Sequence, residues 1–84
     1  MTGKELKAFL KDHLVPEKLY KIGGSHNRRI CMMKNKEGWE VFFSDKKQKV
    51  GLTRYQDEGS ACSAMKEELR KLMELMYGVT WVTQ

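Results

Sequence analysis

The run GWEVFFSDKKQKVG, residues 38–51, carries more structural information than any other stretch of this 84-residue chain. From Trp39 to Phe43 the run is aromatic and β-branched, interrupted only by Glu40, the composition of a strand. Trp39, Val41 and Phe43 fall on one face, and Glu40, Phe42 and Ser44 on the other. Lysines 46, 47 and 49 then interrupt the apolar character, which returns at Val50. The pattern predicts two strands joined by a tight turn. By strict alternation Val50 and Leu52 join the core face, while Lys49, Gly51 and Thr53 point outward.

Further strands precede this hairpin. "KLYKIGG" (18–24) reads as a short strand with Tyr20 and Ile22 on one face, and "GGSHN" as a loop. "RRICMMK" (28–34) is a second strand with Ile30 and Met32 inward and Arg29, Cys31 and Met33 outward. "NKEG" (35–38) is a turn. Strands at 39–43 and 49–55 follow. Every connection is too short for a parallel crossover, so the expectation is an antiparallel meander.

Helical signals lie at both ends. Thr2 and Glu5 form a capping box, and Leu6, Phe9, Leu10 and Leu14 follow at helical spacing over residues 3–14, with Pro16 as the stop. Asp57 caps a second, longer helix, Glu58 to Tyr77, whose stripe is Ala61, Met65, Leu69, Leu72 and Met76, with Gly78 as its terminator. The fold class is therefore α+β: a four-stranded antiparallel meander flanked by an N-terminal and a longer C-terminal helix, α-β-β-β-β-α. One domain covers residues 1–84. Both helices cover one sheet face. Phe42 lies on the other, where it either belongs to a binding face or is covered by the tail "VTWVTQ" (79–84).

Composition narrows the function. A chain this short buries only about 60–65% of its unfolded surface, too little to enclose a deep substrate pocket. Of the histidines, His13 is a helix-boundary residue and His26 sits in a glycine-rich loop. Neither has a carboxylate or cysteine spaced to activate it. Cys31 and Cys62 match no metal spacing and read as reduced thiols. No enzyme, no metal and no cofactor is expected. No secretory or membrane-spanning pattern is present, and the expected compartment is the cytoplasm.

Charge is uneven. Residues 18–54 carry ten basic and three acidic residues, net +7, whereas residues 55–84 carry three basic and five acidic, net −2. An acidic partner is expected for the middle of the chain. The outline also suits a double-stranded-RNA-binding domain, but that family needs a basic start to its second helix. Here that position reads "DEGSACS".

The longer run GWEVFFSDKKQKVGLTRYQDEGSAC resembles the small bacterial immunity proteins of polymorphic-toxin and contact-dependent growth inhibition systems. Many of these carry W-x-V-x-[YF]-x-E-R-G, an aromatic strand end, a helix cap, then E-x-E-A-C. Trp39, Val41 and Phe43 take the strand positions, Tyr55 the aromatic, Asp57 the cap, Glu58 the first glutamate, and Ala61 and Cys62 the A-C pair. "DKK" at 45–47 stands where the family has "ERG", and Ser60 where it has the second glutamate. The resemblance spans residues 20–77. It implies a cytoplasmic protein that binds and neutralises one cognate toxin domain. The mechanism expected here is one-to-one occlusion.

The expected contacts are Arg28, Arg29, Phe42, Lys46, Lys47 and Lys49, which would steer and meet an acidic surface. The acidic residues Asp57, Glu58, Glu67, Glu68 and Glu74 of the second helix offer an alternative docking face. The competing reading is a small basic nucleic-acid-binding protein.

Overall fold

The computed structural model describes residues 1–79 and 81. In chain order these form α1 (Gly3–Asp12), a 3₁₀ turn (Glu17–Leu19), β1 (Tyr20–Ile22), β2 (Ile30–Asn35), β3 (Gly38–Asp45), β4 (Gln48–Tyr55) and α2 (Glu58–Tyr77). The α+β class and the four strands agree with the sequence reading. Among the described residues no helix is long and apolar enough to cross a membrane.

Local chemistry sets the helix ends. The Thr2 hydroxyl accepts from Glu5 N–H at 3.2 Å, and Thr2 N–H donates to Glu5 Oε1 at 2.9 Å, closing the capping box. The helix stops at Asp12, two residues before the expected end. Leu14 is left-handed, with φ 57°. Its N–H bonds Lys11 O, and Val15 N–H bonds Leu10 O. This is a Schellman closure with leucine in the place glycine usually takes. Asp57 caps α2 by accepting from Ser60 N–H at 2.7 Å. Glu58 reaches across to accept from Gly3 N–H at 2.8 Å, tying the two helix starts together.

The strand order is β1-β2-β3-β4, and the sheet is mixed. β2–β3 and β3–β4 are antiparallel, but β1 and β2 run parallel, pairing Tyr20 with Ile30, Lys21 with Cys31 and Ile22 with Met32. The expected all-antiparallel meander is thus corrected at its first strand. The physical reason is length. A three-residue strand advances only about 10 Å, so loop 23–29 can carry the chain back to its start without a helical crossover.

One cluster holds the molecule together. Leu6 and Leu10 of α1 meet Ala61, Cys62, Met65, Leu69 and Met73 of α2 over Tyr20, Ile30, Met32 and Val41 of the sheet. The buried stripe of α2 runs through Cys62 and Met73, while Met76, assigned to it from sequence, is 51% exposed. Trp81 packs edge-on against Phe9 at 5.4 Å, on the helix side. Trp81, packed on the helix side, therefore does not cover Phe42, and Val79, the other described tail residue, is 56% exposed. Thr80 and residues 82–84 lie outside the described residues. Cys31 and Cys62 are both buried and free. Burial pushes the Cys62 thiol up.

Candidate functional site: a groove beside a free edge strand

A bulge at Gly51 organises the far side of the sheet. Val41 pairs with Thr53 and Phe43 with Val50, so Phe42 alone on β3 opposes Gly51 and Leu52 on β4. Gly51 has φ 65°, the left-handed conformation that the first residue of such a bulge adopts. The extra residue resets the alternation of β4. Val50, Thr53 and Tyr55 share the helix side with their partners Phe43, Val41 and Trp39. Lys49, Leu52 and Arg54 take the opposite side. The sequence reading had Leu52 inward and Thr53 outward. The bulge reverses both.

On the outer face the bulge brings Lys49 and Arg54 to one carboxylate. Glu40 is 2% exposed. It accepts from Lys49 Nζ at 2.7 Å and from Arg54 Nε at 3.2 Å. Chiefly the hydrogen bond from Lys49, with Arg54 in support, holds its carboxyl below the usual glutamate range, against the opposing effect of burial. Lys49 also lies over the Phe42 ring, 5.0 Å from its centre. Phe42 is 2% exposed and offers no surface to a partner. The expectation of an exposed Phe42 is therefore corrected, because Lys49 folds over it.

Loop 23–29 closes the other end of the outer face. His26 N–H donates to Cys31 Sγ at 3.5 Å, and the Ser25 and Ser44 hydroxyls are 3.4 Å apart. Arg28 N–H bonds Ser44 O, and Ser44 N–H bonds Arg29 O. Asn27 Oδ1 accepts from Lys46 N–H at 2.9 Å. These bonds bring Arg28 to the hairpin tip beside Lys46 and Lys47, all three exposed. Arg29 is half-buried and donates to Glu17 O at 3.2 Å. So three of the six expected contacts form one basic corner, Lys49 lies along the strand behind it, and Arg29 turns toward the 3₁₀ segment.

The tip is conformationally costly. Lys46 (φ 50°) and Lys47 (φ 66°) occupy the two central positions of a two-residue hairpin, where a type I′ turn favours Asn-Gly. Replacing the pair by Lys46→Asn with Lys47→Gly should raise stability by about 1 kcal/mol. Urea unfolding measures it, and an unchanged midpoint would mean that the tip is unstrained.

On the helix side, α2 covers Val41 and Ile30 but not the hairpin end. Phe43 and Val50, assigned to the core from sequence, are 38% and 50% exposed. They form one wall of an open groove of about 540 Å³, whose other wall is Ala64, Glu67, Glu68 and Leu72 of α2. The small Ala64 side chain leaves the space. Leu75 follows Leu72 one turn on, at helical spacing, and is 86% exposed. The groove opens beside β4, which among the described residues ends the sheet with no strand on its outer edge.

The acidic face of α2 is mostly committed to the fold. Asp57 caps, Glu58 ties α1, and Glu67 and Glu74 both pair with Arg70, at 2.6 and 3.3 Å. Among the described residues Glu68, on the groove rim, has no ion pair. Also among them, no cluster of three or more histidine, cysteine or acidic side chains is arranged to hold a metal.

Sequence reasoning put Phe43 and Val50 on the helix side but took α2 to cover them, because spacing does not say how far a helix reaches. It also missed Thr53 on the groove wall, for which the isolated Gly51 inside a strand pattern was the available signal. Comparison with protein-family models, with curated proteins and with solved structures gives no match.

Proposed function

We propose that the protein is an inhibitor of the immunity type, binding one cognate toxin domain one-to-one in the cytoplasm and neutralising it by occlusion rather than by catalysis. The observation that supports it is the groove. Phe43 and Val50 expose apolar surface on a chain in which 32% of residues are charged, beside an edge strand with no further strand paired to it among the described residues. Anchors of this kind, set among charged residues, are the usual energetic centre of a protein interface. The likeness of residues 20–77 to immunity proteins points the same way. A stable complex buries about 1,200–2,000 Å² in total, and the groove with the adjoining β4 edge would contribute the chain's share.

Co-expression tests the reading. The protein should restore growth to cells producing the toxic domain encoded beside it, and should co-purify with that domain. Val50→Asp should weaken the complex at least about tenfold, roughly 1.4 kcal/mol, with the fold intact by circular dichroism. Cells that grow equally well without the protein would overturn it.

One observation favours the nucleic-acid reading: the convergence of Arg28, Lys46 and Lys47 at one corner. Three phosphate contacts would give a salt dependence with a logarithmic slope of about −3 on duplex nucleic acid. A slope near zero removes it.

A further inference from the structure

β4 is eight residues long, closes the sheet, and every residue from Gln48 to Arg54 is exposed. Its backbone N–H and C=O groups on the outer edge form a template for another strand. Its two faces differ in chemistry. Toward α2 it presents Val50 and Tyr55 beside the groove. Away from α2 it presents Lys49 and Arg54, whose side chains are 41% and 61% exposed; both meet the buried Glu40, and Arg54 Nη1 also lies 3.7 Å from the exposed Glu37 carboxylate. An ammonium and a guanidinium carry more N–H donors than these contacts take, so donors remain for an incoming carboxylate.

We propose that this edge is completed by an extended acidic segment of the partner protein, added as a fifth strand. The segment alternates. Apolar side chains on one face enter the groove against Phe43, Val50 and Leu72, and carboxylates on the other meet Lys49 and Arg54. Glu68 on the groove rim repels carboxylates on the groove side, so the acids belong to one face only. This orients the segment.

A second copy of the chain does not fit as well. β4 carries two cations and no acid, and the chain is +5 overall, so two β4 strands side by side would bring like charges together. The same cations and the bulge discourage indiscriminate edge pairing. A partner that supplies carboxylates turns that repulsion into selectivity. Main-chain hydrogen bonds then supply affinity and the alternate side chains supply specificity.

The inference rests on the inhibitor reading only in taking the partner to be a protein. The probe is a fluorescein-labelled peptide of about eight residues alternating valine with glutamate. It should bind the intact protein, slow hydrogen exchange at the β4 amides not bonded to β3 by at least tenfold, and lose tenfold or more in affinity with Val50→Asp. A peptide with lysine in place of glutamate, and one N-methylated at alternate amides, should each bind at least tenfold more weakly. These two arms need no protein variant. Equal binding of the lysine peptide, no binding of the glutamate peptide at millimolar concentration, or unchanged exchange along β4 overturns strand addition. So does concentration-dependent dimerisation that protects β4 without any peptide, which gives the edge to a second copy. Peptide binding without rescue of toxin-producing cells keeps strand addition and removes the inhibitor reading. Rescue with unchanged β4 exchange in the complex does the reverse.

Discussion

Gly38→Ala is expected to destabilise the protein by about 3–4 kcal/mol, the largest effect of any single methyl group added to this chain. Gly38 opens β3 at φ 140°, outside the range that side-chain-bearing residues favour. A Cβ there would sit 2.5 Å from the carbonyl oxygen of Tyr55. That atom belongs to the backbone of the neighbouring strand, so no rotamer change relieves the clash. The whole β3–β4 pairing at this end must shift, and Trp39 with it. A small domain has only about 5–10 kcal/mol in total, so the variant should sit near the edge of unfolding at 37 °C. Gly51→Ala is the matched comparison. Its φ is also positive, at 65°, but nothing lies within 4 Å of the added atom. It should cost only about 1 kcal/mol, from backbone strain alone. Urea denaturation of the two variants separates clash from strain, and equal losses would refute the assignment of the Gly38 contact.

The second large effect belongs to Glu40. Glu40→Gln should cost about 2 kcal/mol at pH 7, because it removes the charge that two cations were placed to meet and weakens both hydrogen bonds. The pH dependence identifies the cause. Lys49 and Arg54 depress the carboxyl pKa in the folded state relative to about 4.3 unfolded. The unfolded chain therefore takes up the proton first as pH falls. The stabilisation is complete well above pH 4.3 and is lost as pH drops through the folded value. The gap between the native protein and the variant should close in acid. A gap of equal size at pH 7 and pH 3 would show that shape, not charge, makes the difference. Lys49 also covers Phe42, so loosening the pair should expose that ring to solvent.

Glu40 also marks what the sequence made legible. The caps at Thr2 and Asp57, both helices and four strands follow from local rules, because capping, periodicity and turn composition act within a few residues. The sheet's connectivity did not follow. The rule that short links join antiparallel strands presumes strands of ordinary length, and the three residues of β1 fall below it. The faces of β4 did not follow either. A one-residue bulge exchanges every side chain beyond it, and nothing in "KVGLTRY" but Gly51 announces one. From that single slip came the inward placement of Leu52 and the outward placement of Thr53. Val50 was put on the right face and is exposed because α2 stops short of the hairpin end, and Phe42 is buried because Lys49 folds over it. Arg28 was named as a contact for its charge. Its position beside Lys46 depends on Asn27 and Ser44 bonding across the loop, a non-local fact that spacing does not contain.

Loop 23–29 has a further consequence for the two thiols. Cys31 lies under it, donating to the Arg29 carbonyl at 3.3 Å and receiving from His26 N–H. Cys62 lies on the opposite side of the sheet, 3.9 Å from the Met32 sulfur and sealed by α2. Lifting a short loop, held by a few surface bonds, uncovers the first. Uncovering the second requires the helix to leave the sheet, which is unfolding itself. The chain therefore contains two built-in clocks with one chemistry. Under a thiol-alkylating reagent Cys31 keeps the time of local breathing and Cys62 the time of global collapse. The ratio of their alkylation rates reads the cooperativity of the fold without any added label.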